Sequence, residues 1–238
     1  MINKVKLFIP PVSNEVIVRN NLFTQLNASS QKPLILITAP MGYGKSSLIS
    51  NWVKQNKHSC FWYSLDSYDN DLHQFLNYFR HLASAENNYF QHQSDLILNG
   101  KGEPNIQKCI SLFSNYLLEL KSDLKIVLDD FHLISNTKIR KFIEALINAN
   151  IPNVQFVILS RSKSKLPITY WNSKGTMLHL NTNDLEFSIG ESQEFIKKNS
   201  TLHFSKNQLE IFQSHTEGWI SGIKLWLLTN KSESKIIQ

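Results

Sequence analysis

Residues 34–53 read LILITAPMGYGKSSLISNWV. The run from Leu34 to Thr38 is short and almost wholly apolar, the pattern of a strand buried on both faces of a parallel sheet. Beyond it, Leu48, Ile49, Trp52 and Val53 recur at helical spacing. Between them lies A-x-x-x-x-G-K-S, Ala39 to Ser46. An apolar strand feeding a glycine loop and then an amphipathic helix commits the chain to α/β architecture, with the loop at the carboxyl end of a strand.

Such a loop binds phosphate because successive backbone N–H groups turn inward and the following helix offers its positive end. Gly42 and Gly44 permit the turns, Lys45 supplies charge for the β- and γ-phosphates, and Ser46 supplies a hydroxyl for Mg²⁺. The pattern's first glycine is Ala39 here, a mild departure wherever the backbone stays in an allowed region. The expected nucleotide-binding set is therefore Ala39, Pro40, Met41, Gly42, Tyr43, Gly44, Lys45, Ser46 and Ser47.

A phosphate loop is completed by an acid at the end of a second strand. The segment KIVLDDFH supplies two. Asp129 is the expected Mg²⁺ partner of Ser46, acting through a water, and Asp130 is placed to orient or deprotonate an attacking water. Arg161 ends a third apolar run, VQFVILSR. Ligands of α/β sheets lie at the carboxyl ends of strands, so Arg161 is expected at the γ-phosphate. Lys45, Asp130 and Arg161 form the expected catalytic group.

The rest of the chain alternates in the same way. Strands are expected at Cys60–Leu65, Leu124–Asp130, Val154–Arg161 and Met177–Asn181. Helices are expected around Asn20–Leu26, across Leu72–Ala83 and Ile106–Leu120, and over the IRKFIEALINA segment. The fold class is α/β, a P-loop NTPase with a mainly parallel sheet flanked by helices. After about residue 184 only helices are expected: Gly190–Asn199, Ser205–His215 and Trp219–Leu228. The expected division is a P-loop domain with its lead-in at 1–183 and a small helical subdomain at 184–238. Trp219 and Trp226 read as core of that subdomain.

A chain of 238 residues with 42% hydrophobic and 18% charged content is an ordinary globular protein. Net charge is +6, but the basic residues are dispersed. The densest run is RSKSKLP (Arg161–Pro167), and no recognition-helix pair is visible, so direct DNA binding by this segment is not expected. Cys60 and Cys109 read as reduced core residues. No apolar run reaches the ~20 residues of a membrane span, and the N-terminus has no secretory h-region; a soluble, cytoplasmic protein is expected. No histidine pair forms H-E-x-x-H.

With these residues in order, the chain resembles the nucleotide-binding part of the STAND signal-transduction ATPases, and within them the MalT-like branch of large LuxR-type transcription regulators. The resemblance runs through KLFIPPVSNEVIVRNNLFTQL, the phosphate loop with its alanine, FWYSLDSYDNDLHQFLNYF, IVLDDFHLI, FVILSRSKSKLP, LHLNTNDLEFSIGES and TEGWISGIKLWLL. It implies a nucleotide role for Arg19, which stands at the family's lead-in arginine. It also implies an ATP/ADP switch with Mg²⁺: ADP holds a closed form, ATP with an inducer favours a self-associating open form, and slow hydrolysis resets it. The family usually has a small residue or proline after the signature tryptophan, where this chain has Ile220. Other STAND branches place Gly-Arg where it has Val18-Arg19. Such regulators continue into a winged helix, a superhelical sensor and a helix-turn-helix. Inducer and DNA contacts are expected from those segments, and this chain reads as either a piece of a longer regulator or a stand-alone module. The alternatives are a P-loop phosphotransferase acting on a small substrate and a nucleotide-independent interaction module.

Overall fold

The computed structural model describes residues 2–83, 88–100, 102–162, 165–202 and 204–233, with side chains to Thr229. In chain order the elements are α1 (Asn20–Ala28), β1 (Leu34–Thr38), α2 (Lys45–Gln55), β2 (Cys60–Ser64), α3 (Leu72–Phe79), α4 (Asn88–Leu98), α5 (Ile106–Leu118), β3 (Leu124–Asp129) and α6 (Thr137–Asn148). There follow β4 (Val154–Ser160), α7 (Ile168–Ser173), β5 (Met177–Leu180), α8 (Thr182–Leu185), α9 (Ile189–Asn199), α10 (Lys206–Thr216) and α11 (Ile220–Glu233).

Among the described residues five strands form one sheet in the order β2-β3-β4-β1-β5, and each neighbouring pair is parallel. The expected parallel α/β sheet is therefore present, followed by helices. Successive strand residues serve opposite faces, as the period of two requires. Leu34, Leu36, Ile126, Leu128, Phe156 and Ile158 join an aromatic core with Phe75, Phe79, Phe113 and Phe142 of α3, α5 and α6. Ile35, Ile37, Val127, Val157 and Leu159 face the other way, onto Leu22 and Leu26 of α1 and Ile49 and Trp52 of α2. Burial on both faces is why these strands read as continuous apolar runs.

A third core lies among the last helices, built from Phe187, Phe195, Ile196, Leu209, Phe212, Ile223 and Leu227, with Ile17 of the lead-in inserted. The chain crosses from the sheet-side core at Leu185 to this one at Phe187. Capping boxes start α9 (Ser188 with Glu191) and α10 (Ser205 with Gln208), satisfying the amide groups that open each helix.

Some expected boundaries move. The helical run from Leu72 tightens after Phe79 into a 3₁₀ turn, Arg80–Leu82. The strands stop at Ser64, Asp129, Ser160 and Leu180, one residue short of the sequence estimates in each case. Three helices were not anticipated. α7 and α8 are too short to show a period, and α4 buries Phe90, Ser94 and Leu98. Lys163 and Ser164, within the basic run after Arg161, lie outside the described residues. Among the described residues no helix is long and apolar enough to cross a membrane.

Candidate functional site

The loop after β1 turns on two left-handed glycines, Gly42 at φ 89° and Gly44 at φ 75°. Gly44 caps α2 with no side-chain hydrogen bond, so the first amides of α2 have no capping acceptor from that residue. Lys45 opens the helix and is 7% exposed. Its Nζ donates to the carbonyls of Ala39 (2.7 Å) and Pro40 (2.9 Å), which folds it back across the loop. Burial lowers its pKa, an effect that the neighbouring Asp130 and Asp129 oppose and Arg161 reinforces. Ala39 itself is buried, bonded through its amide to the carbonyl of Ser160. Its methyl group fits the sheet-side core, so alanine meets no strain there.

Asp129 ends β3, 7% exposed. Burial pushes its carboxyl up, and a hydrogen bond from Ser46 pulls the other way. The Ser46 hydroxyl and the Asp129 carboxylate therefore lie close together, although 83 residues separate them in sequence. A hydroxyl beside a carboxylate at the mouth of a phosphate loop is a hard-oxygen pair that suits Mg²⁺, which takes one or two protein oxygens and fills its remaining positions with water and phosphate. A cation there would also relieve the desolvation of Asp129. Among the described residues no group of three or more His, Cys, Asp or Glu side chains could hold a metal by itself.

Asp130 adopts a left-handed conformation, φ 58° and ψ 36°, which ends the strand direction of β3. The carboxylate meets Arg161, with Nε 3.2 Å from Oδ1 and Nη2 3.5 Å from Oδ2. Arg161 also approaches Met41 Sδ at 3.7 Å. On the other flank of Asp130, the buried Nδ1 of His132 stands 3.7 Å from Oδ1, beyond hydrogen-bond reach, and has no bonding partner.

Met41, Gly42, Tyr43, Gly44, Lys45, Ser46, Ser47, Asp130 and Arg161 line one cleft of about 370 Å³. Its far side comes from the lead-in (Val16, Ile17, Arg19) and from the helical part (Phe187, Ile220, Lys224). A wider groove of about 720 Å³ runs between α4 and α5, remote from the loop.

Arg19 is placed differently from the loop residues. It is 7% exposed and already occupied: Nε and Nη2 donate to Glu191 at 2.8 and 3.1 Å, and Nη1 and Nη2 to the carbonyls of Leu185 and Glu186 at 2.6 and 2.8 Å. Its guanidinium also lies 5.1 Å from the Phe187 ring. It ties the lead-in to the start of the helical part while lining the cleft.

Trp219 corrects an expectation. Trp226 packs with the helical core, but Trp219 is 37% exposed, with Nε1 3.3 Å from the carbonyl of Met41. It belongs to the loop's surroundings because a left-handed turn at Glu217 and Gly218 swings it out of the helical core. Sequence reasoning also missed His132, Ser221 and Lys224. The first stands two positions after the paired acids, a signal that could have been used. The other two come from a helix that only folding brings to the loop.

No protein-family model matches the chain. Curated relatives do. The HTH-type transcriptional regulators MalT of Yersinia pestis (strain Pestoides F) and of Klebsiella pneumoniae subsp. pneumoniae are each 27% identical over 98% of this chain. Each match takes in 26% of the relative, so the chain spans about a quarter of the length of the curated relatives it matches. Among solved structures, a Walker-type ATPase of Pyrococcus abyssi superposes with TM-score 0.53 at 14% identity, covering 90% of this chain and 67% of that one. The replication initiator DnaA, bound to AMPPCP and single-stranded DNA, gives 0.52 at 14% identity, covering 96% and 65%. The chain is thus similar to the MalT transcriptional regulators over nearly its whole length, and it has the P-loop NTPase fold.

Proposed function

We propose that this chain is an ATP- and ADP-binding regulatory module, with residues 1–183 as the nucleotide-binding domain and 184–238 as a helical subdomain that responds to the nucleotide. The observation that carries the reading is the convergence of Lys45, the Ser46–Asp129 contact and the Asp130–Arg161 pair at one end of the sheet, around the cleft behind the glycine loop. Loop amides and Lys45 take the phosphates. Ser46 and Asp129 would hold Mg²⁺, which would offset the charge of the phosphates. Asp130 orients an attacking water, and Arg161 exchanges part of its contact with Asp130 for the γ-phosphate. A slow hydrolysis rate then resets a switch that needs only a few kcal/mol of differential binding between its two states.

Relatives named as transcriptional regulators support a regulatory role over a metabolic one, and DnaA with its bound AMPPCP supports adenine-nucleotide binding. Self-association in the ATP state, a cytoplasmic location, and inducer and DNA contacts made by other parts of a longer regulator all belong to the same proposal. Calorimetric titration with Mg-ADP and Mg-ATP is the direct test. Micromolar or tighter binding to the native chain, lost in Lys45→Ala, supports it, with turnover far below the ~10 s⁻¹ of an ordinary enzyme. Absence of nucleotide binding, or rapid phosphate transfer to a metabolite, would overturn it.

A further inference from the structure

The phosphate loop is held from outside its own domain. A loop that binds phosphate must turn its amides inward and its carbonyls outward, and outward carbonyls need donors. Two of them find donors at the start of α11. Trp219 Nε1 lies 3.3 Å from the carbonyl of Met41, and the amide of Ser221 lies 3.1 Å from the carbonyl of Gly42. Ser221 sits in the first turn of α11, where amides have no acceptor within their own helix. Each segment thus satisfies a need of the other.

The fit is close. A methyl group on Gly42 would come within 2.5 Å of Trp219 Nε1 and 2.7 Å of Ser221 Oγ, and one on Gly44 within 2.9 Å of Ile220 Cδ1. The indole is held from behind as well, since a methyl on Gly222 would strike it at 2.6 Å. The turn that delivers Trp219 is fixed in its own right: the amide of Phe187 donates to the carbonyl of Gly218 at 2.9 Å, and Gly218 leaves no room for a side chain against Phe187. A rigid path therefore runs from the third hydrophobic core through Phe187, Gly218 and Trp219 to the loop.

We infer that Trp219 and Ser221 are positioning residues of the phosphate site, which act through the carbonyls of Met41 and Gly42 to hold the loop in its anion-binding form. The inference rests on the nucleotide reading above and deepens it. The helical subdomain must be docked for tight phosphate binding, and by reciprocity a bound nucleotide strengthens that docking. Nucleotide and subdomain are coupled through two backbone carbonyls and need no side chain that touches the ligand.

The test uses the whole chain and Mg-ADP as the probe. Trp219→Phe keeps an aromatic ring against Gly222 and removes the donor. Ser221→Pro removes the other donor within the first turn of α11. Trp226→Phe, in the helical core away from the loop, is the control. Each loop-facing variant should bind Mg-ADP about fivefold or more weakly, the worth of one neutral hydrogen bond. The melting midpoint without nucleotide should stay close to that of the native chain, and the control should bind normally. Native affinity in both loop-facing variants, or an equal loss in Trp226→Phe, overturns the coupling while leaving the nucleotide reading intact. A native chain that binds no Mg-ADP overturns both.

Discussion

Arg161 and Asp130 face each other across the ends of two neighbouring strands, Nε to Oδ1 at 3.2 Å, although 31 residues separate them in sequence. The pair is about two-fifths exposed at Arg161 and a third at Asp130, so it holds together weakly and can open. A γ-phosphate offers Arg161 a better partner. Arg161→Ala should therefore weaken Mg-ATP about tenfold or more, the worth of a charge-assisted hydrogen bond. Mg-ADP should change little. Parallel titrations with the two nucleotides read the ratio, and an equal loss for both would show that Arg161 does not sense the third phosphate.

Lys45 is buried against two carbonyls of its own loop. Removing it leaves those carbonyls without their donor and takes away the buried positive charge among Asp129, Asp130 and the phosphates. Lys45→Ala should weaken both nucleotides at least a hundredfold, by titration, while circular dichroism stays native. Retained micromolar affinity would place the phosphates elsewhere.

Gly42 and Gly175 both have positive φ, 89° and 66°. A methyl group at Gly175 meets nothing within 4 Å, whereas at Gly42 it meets Trp219 and Ser221. Gly175→Ala should cost about 1 kcal/mol, the price of a left-handed alanine, or roughly 3 °C in melting temperature. Nucleotide affinity should be unchanged. Gly42→Ala should lose stability and nucleotide binding together. Equal effects from the two would argue against the contact between loop and α11.

Glu191 gives the fold a defined acid sensitivity. Burial pushes its carboxyl up, but hydrogen bonds from Arg19 and Ser188 outweigh this and hold it below the usual 4.5. The native state thus binds fewer protons than the unfolded chain at low pH. The stabilisation is complete above about pH 4.5 and is lost as pH falls through the depressed native value. Glu191→Gln should lower stability at pH 7 and flatten the acid limb in denaturant titrations run at several pH values. Arg19→Ala should cost more, about 3 kcal/mol, because it strands a partly buried carboxylate and two carbonyls.

The sequence by itself determined the sheet and the loop. Strands buried on both faces must be continuous apolar runs, and a glycine loop before an amphipathic helix has few other uses. The acids after β3 and the arginine after β4 were legible for the same reason, since side chains at the carboxyl ends of parallel strands share one edge. Tertiary structure alone decided the rest. The strand order sets β4 between β1 and β3, which puts Arg161 beside Asp130 and lets Ser46 meet Asp129. No period in the sequence reports lateral strand order. Nor does any report where a helix docks. Trp219 carries the local signature of a core aromatic, and Arg19, which also lines the cleft, is expected at the nucleotide through the family resemblance alone. Their actual contacts are with Met41 in the loop and with Glu191 at the start of α9, each fixed by hydrogen-bonding needs that arise only once distant segments have packed together.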